Sequence, residues 1–226
     1  MLTPFGPDLW IADGPVVTAA AGFPYPTRMA VIRLGEGLAI WSPVALTPDL
    51  RAAVEALGSV RWLVPPNALH HVFLQEWAKA WPQADVLAPP GLRAKRKDIV
   101  FAQDLERPPR QWQGKLETLV MRGNRIVEEV VLFHHASGTA LFADLLQNLP
   151  HGWFAGWRAL VARLDGMTGP EPAVPRKFRV AFRDRAAARA ALAQVLDWPV
   201  ERVLMAHGTP VTSDGRTFLR RAFRWL

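Results

Sequence analysis

Length, composition and charge limit what this chain can be. It has 226 residues, of which 50% are hydrophobic and 21% are charged, a balance that allows one continuous core and excludes a disordered chain. No apolar stretch reaches the roughly 18 uncharged residues that a membrane-spanning helix needs, and no secretory-signal pattern is found, so we expect a cytoplasmic protein. The absence of cysteine excludes disulfides, thiolate nucleophiles and cysteine-ligated metals.

The net charge of +7 is concentrated in the C-terminal part of the chain. Residues 1–90 carry 5 basic and 7 acidic side chains, whereas residues 91–226 carry 22 and 13. Such an excess can mark an anionic partner, but it also occurs on ordinary solvated surfaces. Because no nucleic-acid-binding motif accompanies it, we expect no nucleic-acid partner and no membrane partner.

Short apolar runs alternate with helical patterns in the first part of the chain. They predict strands over residues 9–12, 29–34, 38–41, 60–64 and 84–88, and helices over residues 47–57 and 69–81. Thr47 is placed to cap the first helix, with Pro48 in its first turn and Gly58 at its end. Residues 89–114 are rich in charge and proline and predict a helix fragment and a long surface excursion without a core strand.

The second part of the chain has the same alternation. It predicts strands over residues 115–120, 128–133, 139–143 and 202–205, helices over residues 153–164, 185–196 and 215–225, and a connecting loop over residues 165–178. This order of elements is typical of a protein that packs helices on β-sheets in layers.

Five of the six histidines and one aspartate come after short apolar runs. The residues in question are His70, His71, His134, His135, Asp144 and His207. Side chains at the carboxyl ends of strands can converge at one edge of a sheet, and imidazole and carboxylate are ligands of zinc, iron and manganese. Each residue alone could be an ordinary cap or core residue, but the repeated placement predicts a metal site.

The strings VPPNALHH, LFHHASGTALFADLLQN and VLMAHG resemble the metallo-β-lactamase superfamily, in particular an uncharacterised bacterial branch of it. The resemblance covers nearly the whole chain. It implies an α+β fold, a four-layered αββα sandwich, formed by a single domain over residues 1–226. It also implies a metal site at the edge where the two sheets meet.

The resemblance assigns residues to the superfamily's metal ligands, which include an HxHxDH motif. It implies metal ligation by His70, His71, His134, Asp144 and His207, with Asp144 and His71 as catalytic residues. Pro66 and Ala68 stand where the motif has its first two histidines, and His70 stands where it has aspartate. Asn67 is either an additional oxygen ligand or a turn residue.

This degenerate motif favours one divalent metal ion, with zinc expected and iron or manganese as alternatives. The resemblance then implies a metal-dependent hydrolase that cleaves an ester, lactone, amide or phosphoester bond in a small molecule. Two alternatives remain open: a noncatalytic ligand-binding or metal-retaining relative of the fold, and an RNA-associated protein. The sequence indicates neither the substrate nor the oligomeric state.

Overall fold

Two β-sheets form the centre of the fold in a computed structural model that describes residues 1–226. The first sheet contains β1 (Thr3–Gly6), β2 (Leu9–Thr18), β3 (Pro24–Leu34), β4 (Gly37–Trp41), β5 (Ser59–Val64), β6 (Asp85–Ala88) and β7 (Gln103–Asp104), in that order. The second sheet contains β8 (Leu116–Met121), β9 (Glu129–His134), β10 (Thr139–Phe142) and β11 (Arg202–Met205), in the order β11-β10-β9-β8.

Strand direction differs within each sheet. Strands β1 to β4 pair antiparallel, whereas β4 to β7 pair parallel. In the second sheet β9 is antiparallel to both of its neighbours, and β11 returns parallel to β10. The carboxyl ends of β10 and β11 therefore lie at the same end of the strands, and the carboxyl end of β9 lies at the other end.

Seven α-helices cover the sheets. They are α1 (Pro48–Leu57), α2 (Leu74–Ala80), α3 (Leu92–Lys95), α4 (Trp157–Asp165), α5 (Arg176–Ala181), α6 (Arg185–Asp197) and α7 (Gly215–Ala222). The side chain of Thr47 accepts a hydrogen bond from the Leu50 N–H, which confirms the predicted cap of α1. None of the helices combines the length and the apolar composition needed to cross a membrane.

Alternation along β9 shows how the layers are built. Val130 and Leu132 belong to a core cluster between the two sheets, whereas Val131 and Phe133 belong to a cluster that includes residues of α5, α6 and α7. A third cluster packs α1 and α2 on the outer face of the first sheet. Three apolar interfaces between four layers confirm the predicted αββα sandwich.

Several element boundaries differ from the sequence predictions. Helix α2 begins at Leu74 because Asn67 Oδ1 accepts from two backbone N–H groups, at residues 69 and 70, and holds the preceding segment in a turn. Helix α4 begins only after Gly156, which has a φ of +57°. The predicted loop over residues 165–178 already contains the start of α5. Within residues 89–114, α3 is the expected helix fragment, and the two-residue edge strand β7 is an addition.

Candidate metal centre

Three side chains from separate loops meet at one edge of the two sheets. His70 follows β5, Asp144 follows β10 and His207 follows β11. The Asp144 carboxylate lies 3.2 Å from His70 Nε2 through Oδ2 and 3.5 Å from His207 Nε2 through Oδ1. One ligand atom from each residue lies within 4.8 Å of the others.

This donor set fits a metal ion. Zinc bonds of about 2.0–2.2 Å place ligand atoms no more than about 4.4 Å apart. Each histidine Nε2 meets that limit with a different oxygen of Asp144, at 3.2 and 3.5 Å, and one atom from each of the three residues lies within 4.8 Å of the others. Three protein ligands with one open position are usual in catalytic zinc sites. Imidazole and carboxylate also suit iron and manganese, so the donor set does not distinguish these metals.

The far side of each imidazole is fixed by a hydrogen bond. His207 Nδ1 donates to the carbonyl oxygen of Pro26 at 2.7 Å, and His70 Nδ1 lies 2.9 Å from the hydroxyl of Ser42. Since a carbonyl can only accept, His207 carries a proton on Nδ1, and in the neutral ring its lone pair is on Nε2, facing Asp144. Bonds of this kind orient metal-binding histidines in many proteins.

The loop that carries His207 is held from two sides. The guanidinium of Arg28 donates to the carbonyl oxygens of Met205, at 3.2 Å, and of Gly208. On the other side, the Asn148 N–H donates to the carbonyl oxygen of His207 at 3.1 Å. Gly208 has a φ of +114°, and a Cβ there would lie 2.1 Å from the Asn148 carbonyl oxygen, so only glycine fits.

Asp144 is held by two buried polar side chains. Asn67 Nδ2 donates to Asp144 Oδ2 at 2.8 Å, while its Oδ1 is used in the turn before α2 and does not face the cluster. Glu129 accepts the backbone N–H groups of residues 143–145 at 2.6–3.2 Å. The backbone and side chain of Asp144 are therefore both fixed before any ligand binds.

Electrostatics separate the two buried acids. Burial alone would raise the pKa of the Asp144 carboxyl, but the neighbouring His70 and His207 hold it well below its usual value. Burial, together with the nearby Asp144 carboxylate, raises the pKa of Glu129 to about 7. Asp144 is therefore the ionised acid of the cluster at neutral pH.

A cavity of about 870 Å³ opens beside the cluster. His70, Asp144 and His207 line it, and 13 of its 24 lining residues are hydrophobic. Tyr25 packs its ring edge-on against His207, with centroids 5.2 Å apart, and its hydroxyl lies 3.1 Å from Lys177 Nζ. A large, mostly apolar cavity with a few convergent polar groups is the usual form of a small-molecule site.

Comparison with protein families identifies the chain. The profile of a family described as Domain of unknown function (DUF4336) matches residues 21–155, which is more than half of the chain. This chain belongs to the DUF4336 family. No curated protein sequence matches it.

Solved structures with a similar fold include several metallo-β-lactamases. The DUF4336 chain is similar to the metallo-β-lactamase from Pontibacter korlensis, with a TM-score of 0.65, 14% identity and coverage of 100% of this chain and 97% of that chain. It is also similar to the metallo-β-lactamase FIM-1 from Pseudomonas aeruginosa in its mono-zinc form, with a TM-score of 0.61 and 12% identity. That match covers 98% of the DUF4336 chain and 93% of the FIM-1 chain.

A third similar structure is a metal-soaked flavodiiron core from Synechocystis sp. PCC6803, with a TM-score of 0.66 and 14% identity. The DUF4336 chain is covered completely but spans only 60% of that chain. At these identities the three likenesses establish the metallo-β-lactamase fold.

Two of the predicted ligands of the DUF4336 chain lie outside the cluster. Both His70 and His71 were expected as ligands, with His71 beside Asp144 and His207, but only His70 lies there in the structure. His71 Nδ1 accepts a hydrogen bond from the Arg96 guanidinium at 3.0 Å, and Arg96 also donates to the His71 carbonyl oxygen. The turn that Asn67 holds directs the first of the two adjacent imidazoles to Asp144.

His134 lies outside the cluster because of strand direction. It pairs with Thr139 at the start of β10, whereas Asp144 follows the end of that strand. Its Nδ1 lies 2.9 Å from Ser137 Oγ, which donates its own proton to Thr139. The expectation that strand ends converge requires parallel strands, and β9 is antiparallel to β10.

Sequence reasoning missed Glu129 and Ser42. Glu129 begins β9, and because β9 is antiparallel, the start of this strand lies next to the loop that carries Asp144. Its only sequence signal is an acid at the beginning of an apolar run. Ser42 follows β4 directly and has a φ of +50°, a backbone conformation that the sequence does not reveal.

Proposed function

We propose that His70, Asp144 and His207 hold one divalent metal ion, for which zinc is our first candidate, and that the protein hydrolyses an ester, lactone, amide or phosphoester bond in a small molecule. The observation that carries this proposal is the meeting of these three side chains in one cavity large enough for a small organic molecule. The metallo-β-lactamase fold is consistent with it.

The residues of the cluster divide the chemistry between them. His70 and His207 present Nε2 atoms, and Asp144 presents a carboxylate that offsets positive charge and can accept a proton from an attacking water. The chemistry that a bound divalent ion supplies at such a position is polarisation of a carbonyl or phosphoryl oxygen and acidification of water. Tyr25 and Lys177 line the same cavity and can donate hydrogen bonds to substrate oxygens.

A single ion follows from the degenerate motif. If the segment from Pro66 to His71 corresponds to HxHxDH, then Pro66 and Ala68 replace two ligands of one of the two sites that the motif supports. His70, in the position of the aspartate, then supplies a nitrogen ligand in place of an oxygen. The three proposed ligands come from widely separated parts of the chain, so we also propose that residues 1–226 act as one domain.

Elemental analysis of protein that was purified without a metal-binding tag tests the proposal. We expect about one equivalent of metal per chain to survive dialysis, and Asp144→Ala and His207→Ala to lose it. His135→Ala is the matched control, because His135 is an exposed histidine that pairs with Glu117 outside the cluster. His71→Ala should also retain the metal, since its ring lies against Arg96.

The same preparations are then assayed with ester, lactone, amide and phosphoester substrates. Hydrolysis by wild type that disappears in Asp144→Ala, with His135→Ala unchanged, would support the enzyme. Two tightly held equivalents, or a wild-type protein that neither contains nor takes up metal, would contradict the proposed centre. Metal retention without any hydrolysis would support the noncatalytic alternative.

A further inference from the structure

Helix α4 has an apolar stripe that faces away from the core. Trp157, Leu160, Val161 and Leu164 follow the spacing that normally turns one face of a helix toward the interior, yet all four are exposed. The one fully buried residue of the helix is Ala162. Large apolar side chains that are clustered and exposed usually mark a binding surface.

Part of this stripe belongs to the mouth of the cavity. Val161 and Leu164 line the cavity, together with three apolar residues from two other segments: Leu69 and Val72, from the loop before α2, and Ile126, from the loop before β9. All five are exposed. Trp157 and Leu160 do not line the cavity, so the stripe divides into a part at the mouth and a part outside it.

Polar groups are found deeper in the cavity. Asp144 and His207 are buried, and the side chain of His70 is only 11% exposed. Lys177 Nζ lies 3.1 Å from Asp165 Oδ2, so the positive charge of this lysine already has a partner. The exposed Arg176 also lines the cavity, so a polar interior is combined with an entrance of apolar side chains and one cation.

We infer that the cavity binds a small amphipathic molecule with a single aliphatic chain. The chain lies along Val72, Ile126, Val161 and Leu164, and the polar end reaches His70, Asp144 and His207. A wholly polar ligand would leave the entrance residues exposed, and a pure hydrocarbon would remove water from the interior polar groups without replacing its hydrogen bonds. The inference rests on the proposed function only where it implies that such a molecule is hydrolysed, since binding of the aliphatic chain needs no metal.

Binding of 1-hexanol, 1-octanol and 1-decanol, measured by isothermal titration calorimetry, tests the chain-binding entrance. Complete burial of each added CH₂ group would tighten binding by about fourfold, so two added groups should tighten it by up to about 15-fold. We expect at least a threefold gain per two carbons. Affinities that do not depend on chain length would overturn the inference.

Two variants of one helix separate the cavity from a general apolar patch. Leu164 and Leu160 are 56% and 59% exposed, but only Leu164 lines the cavity. Leu164→Asp should weaken 1-decanol binding at least tenfold, whereas Leu160→Asp should leave it within twofold of wild type. Val72→Asp repeats the test on a different segment and replaces Leu164→Asp if that variant fails to fold.

Phosphatidylglycerol vesicles and chelator-treated protein complete the experiment. Suppose that Leu160→Asp and Leu164→Asp weaken vesicle binding equally and that the binding of free alkanols does not depend on chain length. The apolar stripe of α4 would then be a surface that binds a lipid bilayer, and the inference would be overturned. Wild-type protein that has been treated with a chelator to remove metal should still bind 1-decanol. A protein that binds alkanols in this way but holds no metal would support the inference and contradict the proposed hydrolase.

Discussion

Replacement of Gly208 by alanine tests how the loop of His207 is held. A residue other than glycine in a left-handed conformation costs about 1–2 kcal/mol. In addition, the new Cβ would lie 2.1 Å from the Asn148 carbonyl oxygen, whereas ordinary contacts begin at 3.4 Å, so one backbone segment must move by more than 1 Å. Hydrogen bonds join Asn148 to His207 and Thr209 on both sides of this contact.

Loss of these two bonds adds about 1 kcal/mol each, so Gly208→Ala should lower the free energy of unfolding by about 3–4 kcal/mol. For a chain of this size that corresponds to a fall in melting temperature of about 6–16 °C. Urea and thermal unfolding followed by circular dichroism measure both quantities. Metal retention should fall as well, because the displaced segment carries His207.

Gly152→Ala is the matched control. Gly152 also has a left-handed φ, of +84°, but a Cβ there would meet no atom within 4 Å. We expect Gly152→Ala to lower the free energy of unfolding only by the conformational cost of about 1–2 kcal/mol. If Gly208→Ala were no more destabilised than Gly152→Ala, the contact with Asn148 would not constrain the loop, and our account of how His207 is positioned would be refuted.

Three other predictions concern pH, metal affinity and charge. Burial lowers the pKa of His134 to about 4 from its ordinary value near 6.5. The free energy of unfolding should therefore be intact above pH 6.5 and fall toward pH 4 by up to about 1.4 kcal/mol per pH unit. Urea unfolding should show this loss in His135→Gln, which keeps His134, and not in His134→Gln. Ser42→Ala should weaken metal binding about 10–100-fold in chelator competition, because it removes the hydrogen-bond partner of His70 Nδ1. Ser213→Ala is the control, and it should leave metal affinity unchanged because Ser213 lies on the exposed surface. Nucleic-acid binding should be weaker than micromolar near 150 mM salt, and submicromolar binding with a steep salt dependence would show instead that the C-terminal basic excess contacts phosphates.

The sequence was sufficient for most of the layered fold, and the direction of β9 could also have been inferred from the short link that follows it. Alternating and continuous apolar runs located β9 and β10, and Thr47 located the start of α1. Only four residues, 135–138, join β9 to β10, and a parallel connection needs a dozen or more, so the spacing already implied an antiparallel pair. The prediction for His134 failed to account for that direction, and the contribution of Glu129 was missed for the same reason.

The choice between His70 and His71 also depends on information that the sequence does not display. The two residues are adjacent and chemically identical, and only the conformation of the preceding turn decides which imidazole faces Asp144. Asn67 sets that turn by accepting two backbone N–H groups with one oxygen and donating its amide to Asp144. From the sequence this asparagine could be a ligand or a turn residue, and in the structure its oxygen belongs to the turn.

The assembly of the cluster from three distant segments has a consequence for folding. Loops that bring such segments together cost chain entropy before their contacts form, so folds rich in long-range contacts reach the native state slowly. His70 belongs to the first sheet's half of the sandwich, and Asp144 and His207 belong to the second, so the three side chains face one another only after the sheets have docked. A ligand that contacts all three side chains binds only the state in which the two sheets are docked, and so stabilises that state over partly folded forms. Such a ligand would also slow local opening of the sandwich.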